Sequence, residues 1–289
     1  MDTARTVANV AVIVTEVNDT DGDPRRARRY LMCPPLHFDV VYSINPWMEP
    51  GRPTDTDRAL VQWRRIEEAY LGAGHVVVPV DPVEGLPDMV FAANAGLVIG
   101  GRVLCARFRH PERAGEEGAH PGWFRQLGFD EVVQAAYANE GEGDYLPIGS
   151  LILGGSGFRT DPRSHAEIAE FFGREVVPLE LVDDRFYHLD TALAVLDDET
   201  VAYWPGAFSP ASHGVLRELF PDAVVASEHD AKAFGLNACS DGVNVVTSAG
   251  ATGLAAVLRE RGFTPVPVDT SELQKSGGSV KCCTLELRC

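Results

Sequence analysis

The 289-residue chain lacks a basic excess: Lys and Arg number 25 against 42 Asp and Glu, a formal net charge of -17. Such a field opposes binding to nucleic acid or to an anionic membrane surface. Neither is an expected partner, and a small cationic ligand suits the balance better. The sequence also lacks any apolar run near the ~20 residues that cross a bilayer. Its short N-terminal apolar stretch, residues 7–14, is flanked by Asp2 and Glu16, so a cytoplasmic chain is expected. Finally, Cys33, Cys105, Cys239, Cys282, Cys283 and Cys289 lack the spacings of a disulfide scaffold or a C-x-x-C zinc site, and reduced thiols follow.

Hydrophobic residues, at 45% of the chain, are enough for a large core. Residues 1–29 are expected to be a flexible lead-in, because positions 18–29 (NDTDGDPRRARR) are polar and carry four arginines in five positions. A single folded domain then spans 30–289. Along it one pattern recurs: apolar strand, Gly or Asp turn, second strand, amphipathic helix, outgoing strand. The first unit is partial, with YLMC, a helix over 55–72 capped by Thr54 or Asp55 and closed near Gly74, and VVVPVD. Four further units follow, and the closing segment CCTLEL supplies the strand that the first unit is missing. The outgoing strands VVVPVD, VVPLEL and PVPVDT share a Pro within a Val-rich run. Five sheet-plus-helix units closed by the last strand predict an α/β fold of radial type, a five-bladed α/β propeller of ββαβ repeats with pseudo-fivefold symmetry.

Matching positions in a radial fold converge on its axis. Asn94, Asp144, His188, Asn237 and Cys282 occupy such positions, separated by 50, 44, 49 and 45 residues, each on or beside the first strand of its unit. A central polar pocket is expected. A thiolate that attacks an electrophilic carbon and an imidazole that protonates the departing amine are the ingredients of nucleophilic catalysis. His188 alone reads as a structural histidine beside Tyr187; in the sequence HLDT it reads as catalytic. Asp190, two residues on, shares its strand face and either orients the imidazole, binds a substrate cation, or is a surface carboxylate. Lys281 is placed to favour the Cys282 thiolate, and Cys283 points to the opposite face, into the core. In NEGEGDYL, Glu140, Glu142 and Asp144 alternate, so on a strand they present three carboxylates to a cation; a solvated acidic turn is the alternative.

The motifs GGSVKC, HLDT and EGEGD together resemble the guanidine-modifying, or amidinotransferase-fold, superfamily, whose fold is a five-bladed α/β propeller. With MCPP, NPWM and VFAANAGLV they look closest to bacterial arginine dihydrolases, and more distantly to dimethylarginine dimethylaminohydrolases and arginine deiminases. The resemblance covers residues 30–288. It implies that Cys282 forms a covalent amidino-enzyme intermediate, that His188 acts as acid and then activates water, and that the EGEGD carboxylates clamp the guanidinium. No metal or organic cofactor is implied. This chain has one residue more than the family's EGGD-type pattern, which leaves Glu140 and Glu142 both eligible as the key carboxylate, Glu140 being favoured. FAANAG puts Asn94 where the deiminases and dimethylarginine hydrolases offer an acid. An amide both donates and accepts and so also satisfies a neutral ureido group, which makes two successive hydrolyses plausible. Asn45 and Arg113 resemble the dihydrolase pattern, with Arg113 forking onto the substrate α-carboxylate; a turn-forming Asn45, a surface ion pair for Arg113 and a strand-capping Asn237 are the structural alternatives.

The expected activity is therefore hydrolysis of arginine to ornithine, ammonia and carbon dioxide. Hydrolysis of dimethylarginine to citrulline and dimethylamine is the second reading, and amidino transfer the third. From another class comes a non-catalytic Cys/His metal site, for which adjacent cysteines make poor chelators. The expected partner is a small guanidino substrate; a homo-oligomer is compatible with the sequence.

Overall fold

Val-, Leu- and Ile-rich runs bounded by Gly, Pro and Asp fold as fifteen short strands among the described residues, which are residues 27–289 of a computed structural model. The strands are β1 Arg29–Met32, β2 Val76–Pro79, β3 Gly96–Ile99, β4 Arg102–Cys105, β5 Glu131–Gln134, β6 Tyr145–Ile148, β7 Leu151–Ser156, β8 Glu175–Glu180, β9 Leu193–Val195, β10 Val201–Tyr203, β11 Val224–Val225, β12 Cys239–Ser240, β13 Asn244–Ser248, β14 Thr264–Val268 and β15 Leu285–Glu286. They form five three-stranded sheets. In each sheet the inner strand pairs antiparallel with the middle one, and the middle one pairs parallel with the outer. A parallel pair cannot be joined by a tight turn, so a helix makes each crossover: α1 Thr56–Gly72, α2 His120–Gln126, α3 Ser164–Phe172, α5 Pro210–Leu219 and α7 Thr252–Glu260. Two short helices complete the set, α4 Leu189–Ala192 and α6 Glu228–Lys232.

The inner strands β3, β6, β9, β12 and β15 surround one axis, with β9 against β6 and β12, and β15 against β3. The chain's last strand closes the first sheet, Tyr30 opposite Glu286 and Leu31 opposite Leu285. The five-bladed α/β propeller expected from the repeat is the observed fold. Outer strands are sheet edges, where a missing N–H is tolerated and discourages edge pairing. That accounts for Pro79, Pro178, Pro265 and Pro267 in β2, β8 and β14.

Most of the expected lead-in, residues 1–26, lies outside the described residues. Arg28 already belongs to the folded body: its N–H donates to His75 Nδ1 (3.1 Å) and its guanidinium pairs with Glu286 at 3.3 Å. Helix α1 opens on Asp55, whose carboxylate accepts from Arg58 N at 2.9 Å, and buries Ala59, Trp63, Ile66 and Tyr70, spaced three to four residues apart. The largest core cluster joins Leu146, Leu153, Leu179, Leu193, Leu236 and Leu254 of the third, fourth and fifth blades. Each such buried side chain contributes about 1.5–3 kcal/mol. Among the described residues no helix is long and apolar enough to cross a membrane.

Candidate active site

Each repeat position lies just ahead of an inner strand. Asn94 sits in the 3₁₀ turn Ala92–Ala95 before β3, Asp144 directly before β6, His188 at the head of α4 before β9, Asn237 before β12, and Cys282 before β15. The inner strands run away from this end of the axis, so the five polar residues gather there and the hairpin turns gather at the other. A cavity of 930 Å³ lies at that other end, lined by Gly100, Gly149, Asp198, Gly242, Lys281 and Arg288. None of Cys282, His188 and Glu140 touches it, and the chemistry-bearing groups are buried instead: Cys282 is 2% exposed, His188 1% and Glu140 0%.

The Cys282 sulfur lies 3.3 Å from Asp190 Oδ2 and accepts from Asn237 Nδ2 at 3.1 Å. Burial, then the Asp190 charge, push its thiol well above the usual range, so the resting group is neutral S–H directed at Asp190. Burial likewise pushes Asp190 up to about 6, against the pull of His188 and Lys281. Asn237 is a brace: its Oδ1 accepts from Cys282 N (3.1 Å) and Ser279 N (3.0 Å) and so shapes the loop that carries the sulfur.

Glu140 lies 2.8 Å from His188 Nε2 through Oε2 and accepts both-handed from Arg159 Nη1 at 3.0 and 3.2 Å. Burial opposes its charge, yet Arg159, His188 and Arg113 together hold its carboxyl far below the ordinary carboxylate range. A permanent anion on Nε2 makes that nitrogen the N–H donor and leaves Nδ1 to act on a ligand. His188 Nδ1 and Asp190 Oδ1 are both buried and have no hydrogen-bond partner among the described residues. Both stand beside the Cys282 and Glu140 contacts and are open to a bound molecule. Gly143 keeps this space: a Cβ there would stand 2.5 Å from Asn94 Nδ2 and 3.2 Å from His188 Nδ1.

Several expectations change. The EGEGD segment is not a strand but a 3₁₀ turn over Gly141–Gly143, entered through Gly141 at φ 56°, and such a turn rotates successive side chains by about 120°. Glu140, Glu142 and Asp144 therefore diverge. Glu142 faces away along the axis, bonded to Lys281 Nζ at 2.6 Å, to Glu286 N at 3.1 Å and ion-paired with Arg288, so no carboxylate oxygen is left for a guanidinium. Asp144 spends Oδ1 on Leu189 N (3.0 Å) and Oδ2 on Thr160 Oγ1 (2.7 Å), seating the start of α4. Lys281, bound to Glu142, does not serve the thiol. Asp190 shares a single helical turn with His188 rather than a strand face. Cys283 is fully buried in the core, as expected.

Asn94 donates from Nδ2 to Glu140 O (3.0 Å) and accepts at Oδ1 from Arg113 Nη1 (2.8 Å). Arg113 is not a surface residue, and its fork is occupied by Glu116 at 2.7 and 2.8 Å, with Asp88 O at 3.2 Å, so the expected α-carboxylate fork is already filled. Asn45, expected to bind substrate, instead makes the contacts of the turn-forming alternative: Oδ1 accepts from Trp47 N at 2.9 Å and Nδ2 donates to Ser276 O at 3.1 Å. The residue missed in the sequence is Arg159. It binds Glu140, donates to Ile44 O at 2.9 Å and lies 4.6 Å over the Tyr187 ring. It stands in GSGFRTDP, outside the repeat positions, and a lone Arg after a Gly-rich strand end carries no distinctive signal.

The electrostatics carry a testable consequence. Removing the Asp190 charge beside the sulfur lets the thiol ionise more readily, so Asp190→Asn is expected to shift the pH midpoint of Cys282 alkylation by iodoacetamide downward by about a unit or more. An unchanged or raised midpoint contradicts the assigned cause.

No family model matches the chain. It is 55% identical over 262 residues to the N(G),N(G)-dimethylarginine dimethylaminohydrolase of Mycobacterium tuberculosis, covering 91% of this chain and 86% of that one. It is 40% identical to the bifunctional arginine dihydrolase/ornithine cyclodeaminase ArgZ of Synechocystis over 90% of this chain, which spans only 37% of ArgZ. The ArgZ N-terminal domain, solved as a Cys-to-Ser mutant bound to substrate, superposes with a TM-score of 0.87 at 39% identity, over 90% of this chain and 98% of that domain. At 19% identity, the citrulline complex of the Pseudomonas aeruginosa dimethylarginine dimethylaminohydrolase shares the fold, with a TM-score of 0.78 over 90% of this chain and 99% of that one. A propeller closed by its own last strand, a buried Cys, His and carboxylate cluster at the end of its axis, and identity of 55% across nearly the whole of a relative lead to one assignment: the chain belongs to the guanidine-modifying superfamily of amidine-hydrolysing enzymes, in the family that contains dimethylarginine dimethylaminohydrolase and the arginine dihydrolases.

Proposed function

We propose that this protein is a cysteine hydrolase of the arginine guanidinium, converting arginine to ornithine in two successive hydrolyses with citrulline held between them. Cys282 Sγ attacks the guanidino carbon, forming a C–S bond. His188 Nδ1 takes the thiol proton as this bond forms and passes it to the amine as the C–N bond breaks, releasing ammonia. Water then enters, gives a proton to His188 Nδ1 and attacks the same carbon; the C–S bond breaks, the thiolate regains a proton and citrulline remains. Repetition on the ureido carbon releases the second ammonia and leaves a carbamic acid that loses carbon dioxide to give ornithine. Asp190 Oδ1 receives a guanidinium N–H. A cation arriving beside Asp190 also favours loss of the nearby thiol proton, so the nucleophile forms only with substrate present. Glu140 orients the imidazole and stabilises its charged form. With Arg113 filled, Arg159 is the guanidinium assigned to the substrate carboxylate. Because all these groups are buried, binding displaces the Ile44 carbonyl that accepts from Arg159 Nη2 at 2.9 Å.

The observation that carries the dihydrolase reading is the amide at position 94. Its Oδ1 faces Arg113 and one N–H faces Glu140 O, which leaves a second N–H to donate to the ureido oxygen of citrulline. The similarity to ArgZ supports the same reading. The 55% relative favours a second reading, dimethylarginine hydrolysis to citrulline and dimethylamine by the same groups. Mass-spectrometric product analysis on arginine, citrulline and dimethylarginine, supplied separately, decides between them. Ornithine from arginine is expected. Citrulline as the end product of arginine contradicts two-step hydrolysis, and citrulline from dimethylarginine with arginine untouched establishes the second reading.

A further inference from the structure

Behind Asn94 lies a buried ionic array that the proposed chemistry does not use. Glu116, 1% exposed, stands three residues after Arg113 in the 3₁₀ turn Ala114–Gly118, its N–H bonded to Arg113 O at 3.0 Å. Its two oxygens receive Arg113 Nε and Nη2 at 2.7 and 2.8 Å, a parallel fork. His120, one helical turn on, brings Nε2 to 3.6 Å from Glu116 Oε2 and is packed between the Phe108 and Trp123 rings. The guanidinium itself lies 4.5 Å over Phe108. Thus clamped, Arg113 offers Nη1 to Asn94 Oδ1 at 2.8 Å. A guanidinium only donates, so the Asn94 atom facing it must be the oxygen. Were Arg113 to swing away, only Glu140 O, which accepts from Nδ2 at 3.0 Å, would still oppose a turn of the amide that presents its oxygen, in place of its N–H, to the bound group.

We infer that Glu116 is a specificity-determining positioning residue: it locks Arg113, and Arg113, with Glu140 O on the other atom, fixes which face of the Asn94 amide meets the substrate. This rests on the reading that Asn94 contacts the guanidino or ureido group. The consequence is selective. A guanidinium offers only N–H donors and tolerates an amide oxygen, whereas a ureido oxygen needs the N–H. Loss of the lock therefore harms the citrulline step more than the arginine step.

A double-mutant cycle on the full chain tests this. Glu116→Gln, which puts an amide NH₂ against one of the donors of Arg113, is expected to lower kcat/KM for citrulline about tenfold or more, to lower that for arginine less, and to release free citrulline from arginine. In an Asn94→Ala background the same change is expected to alter both rates by less than about twofold, since no amide remains to orient. Glu116→Asp, which keeps the carboxylate, should restore part of the citrulline rate, and Arg113→Lys should reproduce the Gln phenotype should that variant fold poorly. Equal losses for both substrates, or losses that persist undiminished in Asn94→Ala, overturn the inference while leaving an active wild-type enzyme. A wild type that processes arginine but never citrulline overturns the two-step reading and this inference with it.

Discussion

Cys282→Ser is expected to lower turnover of the guanidino substrate by about 10⁴-fold or more while leaving substrate binding near the wild-type level. The reasoning begins with the thiol. Its sulfur is seated by Asn237 Nδ2 at 3.1 Å and Asp190 Oδ2 at 3.3 Å, contacts that a serine oxygen can also make, so the fold and the pocket survive. What does not survive is ionisation. A buried thiol beside a carboxylate is already pushed up, and a hydroxyl in the same place starts several pH units higher still, beyond what one arriving cation can offset. Steady-state rates and calorimetric titration with arginine check both halves. A serine variant retaining more than about a hundredth of wild-type turnover contradicts nucleophilic attack by this residue.

Glu140→Gln is the second large effect, about 10³- to 10⁴-fold in kcat, the scale known for other buried carboxylate–imidazole pairs. Glu140 receives Arg159 and bonds His188 Nε2 at 2.8 Å, and its anion sets the imidazole tautomer. Gln offers one acceptor oxygen and one NH₂. If the oxygen stays on Arg159, the NH₂ faces Nε2 and forces the ring proton to Nδ1, so the neutral base is lost; if it turns to His188, Arg159 loses its partner. Because the native carboxyl is held far below its usual range, it remains an anion throughout the working pH range. The pH profile of the wild type should therefore show no limb from Glu140 above pH 4, and any acid limb must belong to another group. Near-wild-type kcat in Glu140→Gln contradicts this role.

Much of the architecture was legible because the repeat imposes it. Strand, turn, strand, helix, strand recurs with Pro in the outgoing strands, and the closing CCTLEL run has no partner unless it returns to YLMC. The same periodicity located Asn94, Asp144, His188, Asn237 and Cys282 at one end of the axis. Periodicity gave position without direction. Alternation in EGEGD read as one strand face, but two glycines allow a 3₁₀ turn that sends Glu140 to His188 and Glu142 to Lys281 and Arg288. Lys281 looked placed to serve Cys282 because it adjoins it, yet the turn before β15 aims it at Glu142. Arg113 reads as a ligand by type, and only the structure reveals that Glu116, three residues on, already fills its fork. Helix α6 had a local signal, the Ser227 side chain capping Asp230 N at 3.1 Å, but at five residues it has too little periodicity to register.

The central claim is that Cys282 bonds to the guanidino carbon, and intact-protein mass spectrometry of acid-quenched enzyme under turnover tests it most directly. With arginine, the account predicts a transient adduct, heavier than the free protein by arginine less one ammonia, mapping to the peptide that contains Cys282 and absent from Cys282→Ser. Turnover that proceeds with no adduct at any quench time, or an adduct on another residue, would contradict it.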